Sequence, residues 1–220
     1  MKTLLTLMVL FISALIFSQN LPQKIGEDNQ IIKHDGYIVS YNETYEQANW
    51  VYYIIKPSDL LGEKTDRRDD FRVDDSVSTG SADLNDYKGT GYDRGHLRPS
   101  GDEPCDSTQM SETFFMSNVS PQDPSFNRGV WLRLENEVRG IVVESDSIIV
   151  ITGGVLTEGL ETIGDNKVCV PTHFFKVLYI YKNGYMKTLC FVIPNKKSNE
   201  HIYTFQVEMT VLEEFTNIDF

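Results

Sequence analysis

Hydrophobic positions fall into short runs of β type, broken by polar or charged stretches, with one helical repeat. Gly36 to Tyr41 has strand composition and meets a turn at Asn42-Glu43, while Tyr45 to Asn49 reads as a link. Trp50 to Ile55 is a second strand, ended by Pro57. Phe114 to Ser117 predicts a short strand that Asn118-Val119-Ser120-Pro121-Gln122 breaks. Trp131, Leu134 and Val138 then stand at i, i+3 and i+7, the buried face of a helix opened near Asn127. Ser147 to Thr152 is a β-rich run closed by Gly153-Gly154, and Val168 to Val170 is a further short one. Phe174 to Tyr181 and Tyr185 to Ile193 flank Asn183-Gly184, a strong hairpin signal. Tyr203 to Phe215 predicts a closing helix. The pattern predicts an α+β fold, a mostly antiparallel sheet with flanking helices, over a single domain at 36–220.

The first residues change the picture of where this fold begins. Met1-Lys2-Thr3 is a short basic start, Leu4 to Phe17 is apolar, and Ser18-Gln19 turns polar. That order predicts a signal peptide over 1–18, cut after Ser18, with export to the periplasm or the medium. No membrane attachment is expected after cleavage, and 19–35 reads as a polar lead-in. The net charge of −12 argues against a general nucleic-acid coat protein, which carries a basic face. It leaves room for an enzyme that grips phosphate with a few local arginines. Cys105, Cys169 and Cys190 permit one disulfide after export and leave at least one thiol over.

The densest chemistry lies in Tyr92-Asp93-Arg94-Gly95-His96-Leu97-Arg98-Pro99. Histidine can exchange a proton near neutrality, and arginine offers a planar fork that matches phosphate oxygens. Gly95 allows close backbone approach, and Pro99 stiffens the exit. A base beside fixed cations suits attack on a phosphodiester; a surface loop with an Asp93–Arg94 ion pair is the plainer alternative.

Downstream, Phe115-Met116-Ser117-Asn118-Val119-Ser120-Pro121-Gln122 is followed by Asn127-Arg128-Gly129-Val130-Trp131-Leu132-Arg133-Leu134-Glu135. Together with Asp93-Arg94-Gly95-His96, this resembles the DNA/RNA non-specific endonucleases, the family of endonuclease G and the secreted Serratia-type nuclease. The resemblance runs from about Gly36 to Ile193, through Trp50-Val51, Phe71-Arg72, Thr152-Gly153-Gly154 and Val170 to Phe174. It implies a ββα-metal (His-Me finger) core. It also implies roles: His96 as general base, Arg94 on the transition-state charge, Asn118 ordering the site, and Asn127 as direct ligand of one divalent ion. That ion is normally Mg2+, with Mn2+ as a substitute, and Glu135 would hold it through water. An upstream arginine on the phosphate is implied too, with Arg68 the candidate and Arg67 and Arg72 the alternatives. DNA and RNA are the implied substrates, and the family often forms homodimers.

Physical chemistry fits these roles. Magnesium prefers oxygen ligands and keeps several waters, so one amide oxygen with an outer carboxylate is a credible site. Eight residues of helix between Asn127 and Glu135 rise about 12 Å, which favours contact through water over ligation by both. Elsewhere, His173 reads as a sheet-edge residue, and His34 and His201 as surface residues. Arg98, Arg128 and Arg133 could track a backbone or pair with carboxylates. Asp93 is expected to orient Arg94 or cap the turn, and Cys105 to be structural. Two other readings share the scaffold: a nucleic-acid-binding surface protein without activity, and a phosphodiesterase for small or lipid substrates.

Overall fold

A computed structural model describes residues 21–24, 29–102 and 105–220. The expected signal peptide lies outside the described residues. In chain order the strands are β1 (Gln23–Lys24), β2 (Gln30–Lys33), β3 (Ile38–Asn42), β4 (Gln47–Ile55), β5 (Asp93–His96), β6 (Val119–Gln122), β7 (Ser147–Gly154), β8 (Thr162–Ile163), β9 (Val168–Cys169), β10 (His173–Lys182), β11 (Tyr185–Pro194), β12 (Gln206–Val207) and β13 (Ile218–Asp219). The α-helices are α1 (Pro57–Leu61), α2 (Leu84–Tyr87), α3 (Ser107–Glu112), α4 (Leu132–Val143) and α5 (Met209–Thr216).

A seven-stranded antiparallel sheet in the order β12-β11-β10-β7-β4-β3-β2 forms the frame. The expected α+β class is therefore observed. Asn183 and Gly184 both take positive φ, 53° and 78°, which lets β10 turn straight into β11. One sheet face receives α4. Trp131, Leu134, Val138 and Val142 are all buried there against Tyr53, Ile55, Val150 and Phe174. Each such side chain contributes about 1.5–3 kcal/mol by leaving water. Truncating Leu134 would cost about 2–5 kcal/mol, since close packing cannot refill the gap. The other face packs Trp50, Ile151, Phe175 and Val177 against Leu212 of α5 and Ile218.

Several element boundaries depart from the sequence reading. The polar lead-in contributes β2, which pairs with β3, because an edge strand needs only one apolar side and Ile32 supplies it. β4 starts at Gln47, so part of the expected link is strand; Gln47 and Asn49 are buried through side-chain hydrogen bonds rather than hydrophobicity. The expected strand at Phe114–Ser117 is instead a bridge and a short 3-10 turn (Met116–Asn118), and the predicted break is β6. Pro121 is tolerated there because β6 belongs to a two-stranded pair and has a free edge. The closing segment splits into a 3-10 turn, β12 and α5, which ends at Asn217 in the left-handed region (φ 55°).

The pair β5–β6, followed by a wide helical turn (Phe126–Trp131) and α4, makes a ββα unit set against the sheet. Gly129 breaks the helical geometry of that turn (φ −112°, ψ −107°). Wide turns of this kind concentrate at functional sites. Here it carries Asn127.

Candidate active site

Strand β5 presents the tetrapeptide Asp93-Arg94-Gly95-His96 against Gln122, Pro121, Ser120 and Val119 of β6. Gly95 is required by packing: a Cβ there would lie 2.1 Å from Cδ of Gln122. The chain leaving His96 is clamped by Asn118, which is wholly buried. Its Oδ1 accepts from the Arg98 amide (2.9 Å), and its Nδ2 donates to the carbonyls of Arg98 (3.0 Å) and Thr113 (2.8 Å). Asn118 therefore acts as a staple between the two halves of the ββα unit.

His96 is partly buried between Phe71 and Phe114, with ring centroids 5.2 Å and 4.8 Å away. Its Nε2 is buried and has no hydrogen-bond partner among the described residues. Burial pushes its pKa down to about 3; Arg67 and Arg94 add to the effect, and Asp69 opposes it. The imidazole is neutral throughout the physiological range. Beside it opens a cleft of about 590 Å³, lined by Arg67, Phe71, Asp93, Arg94, Asn127 and Arg128 among others. This is a local group of cations on an acidic protein. Leu84, Asn85 and Tyr87 of α2 form the far wall, and the Asp83 side chain caps that helix by accepting from the amides of Asn85 and Asp86.

Asp93 corrects one expectation. It accepts from Nδ2 of Asn127 (2.9 Å) and from Nε of Arg128 (2.8 Å), rather than pairing with Arg94. Arg94 is stacked over Phe71 instead, its Cζ 4.3 Å from the ring centroid. Of the three upstream arginines, Arg67 lines the cleft. Arg67 donates to Ser100 (2.7 Å) and Asp69 (2.7 Å), stacks over Phe114, and bears electrostatically on both His96 and Glu135. Arg68 is exposed and lies outside the cleft lining, and Arg72 is turned onto Phe115 and Asp70.

Glu135, on the first turn of α4, is influenced by burial and by the charges of Lys176, Asp102, Arg139 and Arg67, with no hydrogen bond among those causes. Burial raises its pKa, and the Lys176 ammonium opposes that shift. Lys176 is 1% exposed, its Nζ without a hydrogen-bond partner among the described residues and 4.7 Å from the Trp131 ring. Burial lowers its pKa, and Glu135 opposes. Beneath them Asp102 accepts from Arg139 (2.6 Å) and from the Tyr53 hydroxyl (2.9 Å). The sequence reading missed Lys176, Asp102 and Tyr53. A signal for Lys176 was present: it is a lone charge inside the apolar run Phe174-Phe175-Lys176-Val177-Leu178.

The remaining candidates stand apart. His34 is not a surface residue; its side chain is 5% exposed and meets Asp74 at 2.9 Å. Arg98 is buried over Tyr37 and Tyr53, and Arg133 donates to the carbonyls of Ser198 and Glu200. His173 begins β10 and packs edge-on to Phe215, while His201 accepts from the Tyr203 amide. No disulfide joins the three cysteines among the described residues.

A large antiparallel sheet carrying this ββα unit, with histidine on the first strand and asparagine entering the helix, defines the ββα-metal nuclease fold. The chain belongs to the DNA/RNA non-specific endonuclease family, whose model matches residues 17–220. It is 35% identical over 185 residues to mitochondrial endonuclease G of Homo sapiens, covering 79% of this chain and 62% of that protein. It is 31% identical over 212 residues to nuclease C1 of Cunninghamella echinulata var. echinulata, covering 89% and 84%. A crystal structure of an EndoG/EndoGI complex, concerned with the mechanism of EndoG inhibition, superposes with a TM-score of 0.82 at 30% identity. That match covers 88% of this chain and 86% of the other.

Proposed function

We propose that this protein is an exported, divalent-metal-dependent endonuclease that hydrolyses the phosphodiester bonds of DNA and RNA, leaving 5′-phosphate and 3′-hydroxyl ends. The observation that carries the reading is a neutral, partly buried His96 beside Arg67 and Arg94, two arginines that line one cleft together with Asn127. The family and the names of its members support a nucleic-acid substrate.

His96 takes the proton of the attacking water. Free of substrate it is a weak base, because burial and two cations disfavour its charged form. A phosphate seated between Arg67 and Arg94 offsets those cations and raises the basicity of the imidazole when the reaction needs it. The guanidinium groups then hold the non-bridging oxygens as negative charge builds on phosphorus. Water adds in line, and the bond from phosphorus to the 3′ oxygen breaks.

The residues fit a hard cation. Asn127 has its amide nitrogen committed to Asp93, which presents Oδ1 as an acceptor, and Glu135 offers carboxylate oxygens. Among the described residues no three His, Cys, Asp or Glu side chains gather as a ligand cluster, so water would complete the shell. Mg2+ held by Asn127, and through water by Glu135, would polarise the phosphate and neutralise the leaving oxygen. Asp93 fixes the amide orientation and Lys176 favours the ionised form of Glu135.

Export rests on the apolar run Leu4–Phe17 behind Lys2. Several relatives are named mitochondrial. Mitochondrial targeting segments are amphipathic and rich in arginine, whereas the first twenty residues here hold Lys2 and no arginine.

The deciding experiment digests supercoiled plasmid and ribosomal RNA with the mature protein, with Mg2+, with chelator, and with His96→Ala. Loss of both substrates that needs both metal and His96 is expected. Cleavage that survives His96→Ala would refute the base assignment, and no cleavage by folded, metal-loaded protein would refute the activity.

A further inference from the structure

Phe71 stands in the charged stretch between β4 and β5, half-buried and lining the cleft. Its ring meets three groups: His96 (centroids 5.2 Å apart, 46° between planes), Phe114 (4.9 Å, 86°) and the Arg94 guanidinium (4.3 Å to Cζ). Phe114 closes the other side, edge-on to His96 at 4.8 Å and beneath Arg67 at 5.1 Å. Each arginine beside His96 therefore rests on a ring that also touches the imidazole.

The backbone holds Phe71 in place. The Arg72 amide donates to the Phe114 carbonyl (3.2 Å), the Met116 amide donates to the Arg72 carbonyl (2.9 Å), and the Arg72 guanidinium lies 4.0 Å from the Phe115 ring. An exposed arginine has many rotamers, and a ring face that attracts the cation selects among them. The same ring walls His96 from water.

We propose that Phe71 is a positioning residue, holding the Arg94 guanidinium and the His96 imidazole in a fixed relation to each other. On the nuclease reading above, it acts through those two groups and touches no substrate atom. The depressed pKa of His96 agrees with a dry wall on that side.

The test compares Phe71→Leu, which keeps bulk and removes the π face, with Phe71→Tyr, which keeps both, after thermal melts establish that each is folded. Phe71→Leu is expected to lower kcat about tenfold or more with KM within about twofold, as misplacement of reacting groups does; Phe71→Tyr should restore kcat. In an Arg94→Ala background Phe71→Leu should cost much less, because the two changes remove one shared interaction. Independently of turnover, imidazole NMR would follow His96, identified against His96→Ala. Its titration midpoint should rise from about 3 toward 6.5 in Phe71→Leu, with Arg67, Arg94 and Asp69 the charged groups facing it. A folded Phe71→Leu with unchanged kcat and midpoint would overturn the proposal. So would losses that simply add to those of Arg94→Ala and are not rescued by tyrosine. If the wild-type protein cleaves nothing, the nuclease reading fails while the NMR arm still decides whether Phe71 shields His96.

Discussion

Asp93 and Asn127 lie 34 residues apart, joined by a 2.9 Å hydrogen bond from the asparagine amide to the carboxylate. The bond distinguishes the two ends of the Asn127 side chain. An acceptor-only carboxylate takes the nitrogen, so the oxygen must face elsewhere. Asp93 also takes the Arg128 guanidinium, so one carboxylate orders two side chains of the wide turn.

Removing that acceptor should release the amide. Asp93→Ala is expected to lower kcat/KM by roughly 10–100-fold and to raise the Mg2+ concentration needed for half-maximal activity, the usual cost of losing an outer-shell partner. Activity titrated against Mg2+ for wild type and variant measures this. An unchanged metal dependence would count against Asn127 as the ligand.

The two neighbouring arginines should separate cleanly. Arg67 faces the cleft and bears on His96, whereas Arg68 is exposed outside the lining. Arg67→Ala should lower kcat/KM by about 10²–10³-fold, as removal of a charge clamp does. Arg68→Ala should stay within about threefold, as expected of an exposed charge. Steady-state kinetics on a short duplex would decide.

His96 should make stability depend on pH. Its folded-state pKa, about 3, lies below the ordinary value near 6.5, so between those limits the unfolded chain binds a proton that the folded chain does not. Stability from this group is complete above pH 6.5 and is lost as pH falls through the window, by at most about 1.4 kcal/mol per unit. His96→Phe keeps a ring between Phe71 and Phe114 and removes the proton site. Urea midpoints at pH 7.5 and pH 5 should fall less on acidification in the variant. An equal drop in both proteins would show that His96 is not shielded.

Lys176 and Glu135 should behave as one unit. Lys176→Met leaves Glu135 without its opposing charge and is expected to lower both stability at neutral pH and activity. Adding Glu135→Gln should recover most of the stability and none of the activity, because two matched apolar or neutral groups pack where an unpaired charge cannot. Denaturant melts of the single and double variants give the coupling, and additive losses would argue that the pair is independent.

Local chemistry made much of this protein legible from its residues. The Asn183-Gly184 hairpin, the Trp131-Leu134-Val138 face and the order of Arg94, His96, Asn118, Asn127 and Glu135 each depend on short-range geometry or on side-chain type. Such features are written in adjacent or periodic positions. The antiparallel α+β frame followed from them.

Contacts between distant segments were decided only by the tertiary structure. Whether Arg67 or Arg68 faces His96 depends on the twist of an irregular loop, where no period assigns a side. The partner of Asp93 was set by bringing the wide turn against β5, and Lys176 became buried because α4 crosses that part of the sheet. The shifted pKa of His96 has the same origin: it comes from rings and charges gathered from three separate stretches, Arg67 to Phe71, Arg94 and Phe114. Sequence specifies which groups can react, but burial and long-range electrostatics exist only once the chain has closed on itself.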